Sequence, residues 1–237
     1  MRIDKFLSNM GYGSRKEVKI LLKSKAVEVN GETVRDPKVH VNELADDVTV
    51  GGERVEYAEF IYLLMNKPPG VISATEDKYD PTVIDLLAEE DRHFEPFPVG
   101  RLDKDTEGFL LLTNDGVLAH ELLSPKKHVD KRYYARIEGV VTAEDGEEFE
   151  RGVSLDDGYV TKPAKLHIIK SGPESEIELT ITEGKFHQVK RMFQSVGKEV
   201  VYLKRLSMGP LELDPSLGLG EYRQLTQGEL DLLKTRK

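Results

Sequence analysis

The sequence predicts an α+β protein in two parts. A small N-terminal module of two short helices followed by strands covers 1–59, and a larger mixed domain with a mostly antiparallel sheet covers 60–237. Three observations carry this. A chain of 237 residues, 38% of them hydrophobic, suits two cores better than one. A helix-start signal followed at once by a hairpin signal sits near the N-terminus. Beyond residue 60, short apolar runs end in clusters of turn-forming residues.

Ser14 and Glu17 form an S-x-x-E capping box, which starts a helix with Val18, Leu21 and Leu22 on one face and Arg15, Lys16, Lys19 and Lys23 on the others. Val27–Val29 and Glu32–Val34 then flank Asn30-Gly31, a pair suited to the positive φ angles of a type I′ hairpin turn. Gly51-Gly52 and the polar stretch to Glu59 mark the expected linker. In the second part, strands are expected at Phe60–Met65, Phe109–Thr113, Tyr133–Ile137, Ala164–Ile169, Glu176–Thr182 and Val200–Leu206. Helices are expected at Thr82–Leu87, Val117–Leu123, Ala143–Glu150, Gln188–Val196 and Gly228–Lys234, the last opened by a second capping box from Thr226 to Glu229.

Composition narrows the chemistry. The absence of cysteine removes disulfides, thiolate nucleophiles and iron–sulfur clusters, and the 6 histidines form no H-E-x-x-H pair. No apolar run exceeds the stretch from Phe60 to Met65, far short of the roughly 20 residues of a membrane span. The expectation is a cytoplasmic protein, monomeric, without membrane attachment, metal or other cofactor. A formal charge of −9 argues against a polyanion partner on average, because phosphate binding needs cations. The charges are segregated, however. Basic residues concentrate in Met1–Lys25, Lys126–Arg136 and Lys185–Arg205, and acidic ones dominate from Ala26 to Glu59, so a basic face on an acidic protein is expected.

Three segments can carry chemistry. Gly100–Gly108 (GRLDKDTEG) places charges directly before an apolar strand, which would set a carboxylate at a cleft mouth close to an arginine. Spacing alone favours the plainer alternative, a solvated charged turn. Glu183–Phe193 (EGKFHQVKRMF) is a glycine turn entering a helix with adjacent bases. Lys190 and Arg191 could neutralise a phosphate or pair with a catalytic carboxylate. His187 reads more readily as a cap or packing group, since no triad-like partner is visible. Lys131-Arg132-Tyr133-Tyr134 interleaves bases with aromatics, which suits phosphate contact and stacking on an extruded base, and equally suits an ordinary strand with one tyrosine in the core.

Val99–Gly108 resembles the signature of bacterial ribosomal pseudouridine synthases, in particular the small-subunit RNA family. The resemblance spans nearly the whole chain. Met1–Leu7, Ser14-Arg15 and Val27–Gly31 are similar to the S4 RNA-binding module, and Leu64–Gly70, Lys131–Tyr133 and Glu183–Phe193 are similar to the later family motifs, in order. His187-Gln188 resembles the small-subunit enzymes, where several large-subunit members have Arg-Gln. The resemblance implies Asp103 as the essential aspartate, Tyr133 as the aromatic stacked on the target uracil, and Lys190 as the cation beside Asp103. It implies RNA contacts from Arg2, Lys5, Arg15, Lys16, Arg101, Lys131, Arg132, Lys185 and Arg191. The implied partner is ribosomal RNA or the assembling small subunit. A large-subunit RNA synthase of the same family is the alternative within enzymes, and a non-catalytic S4-type RNA-binding or ribosome-assembly protein is the alternative outside them.

Overall fold

The computed structural model describes residues 1–124 and 127–235. Met1–Ile61 together with Ala88–Glu95 forms one compact unit; Tyr62–Leu87 and the chain from Pro96 onward form the other. By sequence, residues 88–95 were expected within the second part.

The first unit opens with α1 (Ile3–Asn9) and α2 (Arg15–Lys23). The capping box is present at both ends, with the Ser14 hydroxyl accepting from the Glu17 N–H and the Glu17 carboxylate accepting from the Ser14 N–H. Val18 and Leu22 of α2 pack with Ile3, Phe6 and Leu7 of α1 and with Val27, Val41 and Val48. Burying each such aliphatic side chain contributes about 1.5–3 kcal/mol. Four short antiparallel strands follow in the order β2-β1-β3-β4: β1 (Val27–Val29), β2 (Glu32–Thr33), β3 (Val48–Val50) and β4 (Glu53–Arg54). Asn30 and Gly31 have φ of 53° and 81°, as the hairpin signal requires. Gly51-Gly52 is not a linker. Both residues have positive φ and close the β3–β4 hairpin inside the first unit. The single-turn helix α3 (Glu89–Arg92) belongs to this unit, where Nε2 of His93 lies 3.0 Å from the Ser8 carbonyl.

The second unit is built on one mixed sheet of nine strands among the described residues. Its main path runs β13-β5-β7-β11-β8-β10-β9, with β6 on β7 and β12 on β11. The strands are β5 (Tyr62–Lys67), β6 (Phe97–Pro98), β7 (Glu107–Thr113), β8 (Lys131–Glu138), β9 (Lys165–Lys170), β10 (Glu174–Ile181), β11 (Glu199–Met208), β12 (Leu211–Glu212) and β13 (Tyr222–Gln224). Every pairing is antiparallel except β7 with β11. Helices α4 (Gly116–Leu123), α5 (Ala143–Arg151), α6 (Gln188–Ser195) and α7 (Gln227–Lys234) complete the unit. Alternation along β8 and β10 buries one face against α5 and α6, where Phe149 and Phe193 meet edge to face at 5.1 Å. Strands β5 and β7 are apolar almost throughout and are covered on both sides.

Two expectations fail here. The strand expected at Phe60–Met65 starts at Tyr62 and continues to Lys67; Phe60 is exposed, while Lys67 is wholly buried with its ammonium on backbone carbonyls. Thr82–Leu87 is not a helix. Thr82 bridges Ile72, whose carbonyl takes the Val83 N–H, and Asp85 caps a single turn by accepting from the Thr82 N–H and hydroxyl.

Candidate active site

The loop from Gly100 to Thr106, between β6 and β7, is fixed from below. The buried ammonium of Lys67 donates to the carbonyls of Pro68 and Thr106, each at 2.9 Å, and lies 3.4 Å from that of Lys104. Burial pulls Lys67 down to about 8 against the attraction of Asp105 and Asp103. The Ser73 hydroxyl donates to the Leu102 carbonyl and accepts from the Leu102 N–H, and the Gly70 N–H donates to Lys104. At the loop's end Gly108 has φ of 103°, and a Cβ there would stand 2.2 Å from the Arg205 carbonyl. Glycine is what lets β7 lie against β11 at this point. The loop therefore presents Asp103 from a rigid platform.

Across the cleft, α6 delivers the opposing charges. Its buried face is Gln188, Val189, Met192 and Phe193, which leaves Lys190 free to reach the loop. Lys190 Nζ lies 3.3 Å from Asp103 Oδ2 and 2.7 and 2.9 Å from the two oxygens of Asp105. Burial works against the Lys190 ammonium, but Asp105 and Asp103 more than offset it and hold its pKa above the ordinary value. Burial likewise raises Asp105, and Lys190 overrides that to hold it below the ordinary carboxylate value. Lys190 is thus a shared cation, with its shorter contacts on Asp105, a residue the sequence reading gave no role.

His187 also departs from its sequence reading. It stands at the N-cap of α6 in the left-handed region, φ 49° and ψ 33°, and makes no side-chain cap. Its ring stacks on Phe186 at 3.8 Å, and its Nε2 lies 3.5 Å from Asp103 Oδ1. The partner that sequence could not supply is Asp103. The bend is anchored by buried Glu183, which accepts from the Tyr159 hydroxyl, the Lys162 N–H and the Gln188 side-chain amide.

Tyr133, in β8 opposite Arg205 of β11, is buried and lines the same cleft as Asp103, Arg101, Lys185 and His187. Tyr134 faces the other side of the sheet, where its hydroxyl donates to Glu176. Arg132 shares that opposite face and is held by Glu178 and Glu212, so the structure does not bring it to the cleft. Arg191 points away to Asp156 and Asp157 and is likewise committed. Lys131 is on the cleft side but buried, its ammonium on the Val129 carbonyl. Lys126, part of the same basic cluster in sequence, lies outside the described residues. In the first unit Arg2 is paired with buried Asp4, whereas Lys5, Arg15 and Lys16 are exposed.

A carboxylate on a fixed loop, a histidine and a buried tyrosine line one cleft, with a shared lysine beside the carboxylate, so the site offers a carboxylate, a neighbouring cation and an aromatic face. The RNA pseudouridylate synthase family model matches residues 61–195, and the S4 domain model matches residues 1–48. The chain belongs to the RNA pseudouridylate synthase family. It is 60% identical over 98% of its length to an uncharacterized RNA pseudouridine synthase of Bacillus subtilis, with 98% of that protein covered. It is 40% identical to ribosomal large subunit pseudouridine synthase B of the same organism, covering 98% of this chain and 95% of the relative. It is 37% identical to ribosomal small subunit pseudouridine synthase A of Escherichia coli (strain K12), covering 97% and 98%. A crystal structure of pseudouridylate synthase superposes with a TM-score of 0.69 at 35% identity, covering 98% of this chain and 99% of that one. The chain is therefore an RNA pseudouridine synthase with an N-terminal S4 domain and a mixed, largely antiparallel synthase fold. No helix among the described residues is long and apolar enough to cross a membrane.

Proposed function

We propose that this synthase isomerises a uridine of small-subunit ribosomal RNA in the cytoplasm, with Asp103, Tyr133 and Lys190 as the working residues. The reaction breaks the N1–C1′ bond, turns the uracil and joins C5 to C1′; the proton on C5 is lost and N1 gains one. The composition of the nucleotide is unchanged, the proton lost from C5 being matched by the one gained at N1, so a carboxylate at the ribose and a base for C5 are sufficient. Asp103 acts at the ribose, either by attack on C1′ or by taking the 2′ proton. Tyr133 stacks on the uracil and its phenolic oxygen takes the C5 proton. Lys190 places a positive charge beside the Asp103 carboxylate. The uridine must leave its stack to reach the cleft, at a cost of a few kcal/mol. Exposed Lys5, Arg15 and Lys16 of the S4 domain, and Arg101 and Lys185 at the cleft, offset that cost by holding phosphates.

The observation that carries the reading is Lys190 within 3.3 Å of Asp103 in a cleft lined by Tyr133. The choice of small-subunit RNA is supported by His187-Gln188, which resembles the small-subunit enzymes where several large-subunit members have Arg-Gln, with His187 beside Asp103. The large-subunit relative at 40% identity makes the other ribosomal RNA the competing substrate. Pseudouridines are mapped in both RNAs from cells with and without the protein and from cells carrying Asp103→Asn. A small-subunit uridine should stay unmodified in the last two. A missing large-subunit site instead would reassign the substrate, and full modification with Asp103→Asn would remove Asp103 from the chemistry.

A further inference from the structure

Next to the Asp103 cleft lies a second cavity of about 220 Å³, which shares Arg101, Tyr133, Gly184 and Lys185 with it. Its lining is one-sided in charge. Arg101, Lys131, Lys162, Lys185 and Arg205 face it against one carboxylate, Glu183. Both Glu183 oxygens are already occupied by the Tyr159 hydroxyl, the Lys162 N–H and Gln188.

The two innermost cations are the telling ones. Lys131 is 7% exposed and Arg205 2%, and neither forms an ion pair among the described residues. Lys131 Nζ donates to the Val129 carbonyl, Arg205 Nε donates to the Phe109 carbonyl, and Arg205 Nη2 is buried without an acceptor. Burial and the nearby Arg205 charge pull Lys131 down to about 8 against the weaker attraction of Asp130 and Glu183. Cations buried without a directly paired carboxylate are costly to keep, and an anion in the cavity would offset that cost. Lysine and arginine only donate, so the wall also favours a ligand made of acceptors over a nucleobase edge, which needs both kinds of group.

We propose that this cavity is a phosphate subsite, in which a phosphodiester of the substrate strand beside the isomerised uridine sits on Lys131 and Arg205, with Arg101 and Lys185 at its mouth. The strand part rests on the function proposed above; the anion subsite stands without it. A free phosphate would use the same donors, so the test separates the two sources.

Inorganic phosphate is titrated into the full-length protein and followed by ³¹P line broadening. Wild type and Asp103→Asn should bind it alike, and Lys131→Gln should weaken binding about tenfold or more. The exposed-side variant Lys185→Gln covers the possibility that Lys131→Gln disturbs the fold, and should weaken binding several-fold. Sulfate, which keeps its charge across the range, should bind less well as pH rises through 8 and Lys131 loses its proton. A small-subunit ribosomal RNA transcript should displace phosphate from Asp103→Asn. Phosphate bound but not displaced by the transcript overturns the strand assignment and leaves a site for free anions. No phosphate binding to wild type, or equal binding in both lysine variants, overturns the subsite. Loss of ribosomal RNA specificity in the mapping experiment, with phosphate binding intact, counts against the proposed function and leaves the subsite standing.

Discussion

The ammonium of Lys190 stands 3.3 Å from the carboxylate of Asp103 while bonding more closely to Asp105. Asp105 is largely exposed, whereas Asp103 is more deeply set in the cleft. The Lys190 pKa is held above its ordinary value, so its charge is complete below that value and is lost only as pH rises through the raised one. The Asp105 pKa is held below its ordinary value, so its charge is complete above that value and is lost only as pH falls through the depressed one. The network therefore stays charged across the neutral range. Lys190→Met removes the cation that holds Asp105 down and should move the acidic limb of the kcat/KM profile upward, with a stability loss of about 1 kcal/mol or less. Lys190→Arg should restore the limb. An unmoved limb in Lys190→Met, with RNA binding intact, would show that Lys190 does not act through the carboxylates.

Tyr133 combines a face and a hydroxyl, and two substitutions separate them. Tyr133→Phe keeps the stacking surface, so RNA affinity should hold while tritium release from C5-labelled uridine falls about 10²–10⁴-fold. Tyr133→Ala should in addition lose about 1–3 kcal/mol of base stacking. Equal tritium release by wild type and Tyr133→Phe would exclude the phenol as the C5 base.

What the sequence made readable follows from the range of the interactions. The Ser14–Glu17 box, the Asn30-Gly31 turn, β7 and the Thr226 box are set by residues within a few positions of each other, and all are present. Asp103 and Lys190 were identified through resemblance, but their contact is made across the fold. The same holds for Asp105, which bonds to Lys190 from 85 positions away, and for His187, whose partner comes from the opposite loop. Lys67 was unreadable for a related reason: a lysine normally ends an apolar strand, and only three folded-back carbonyls make its burial tolerable. Local patterns also misled where context decided the outcome, as with the Thr82 turn and the Gly51-Gly52 hairpin.

Arg15 and Lys16 are exposed at the start of α2 and available to an RNA backbone. Replacing both with glutamate should leave folding intact, because Val18 and Leu22 hold the helix from its other face. RNA affinity should fall, and the slope of log K against log salt should flatten by about two, since fewer counterions are released. A wild-type slope would place the RNA on another surface.

His187 holds a left-handed backbone conformation that costs a non-glycine residue about 1–2 kcal/mol. His187→Gly removes both the ring and the strain, and His187→Ala removes the ring and keeps the strain. The glycine variant should therefore be the more stable of the two by roughly 1 kcal/mol in denaturant unfolding. Activity should not follow that order. If the ring orients Asp103 through its 3.5 Å contact, both variants lose kcat to a similar extent with KM little changed. A kcat that tracks stability, recovering in His187→Gly, would instead show that the ring serves only to set the bend between Gly184 and α6.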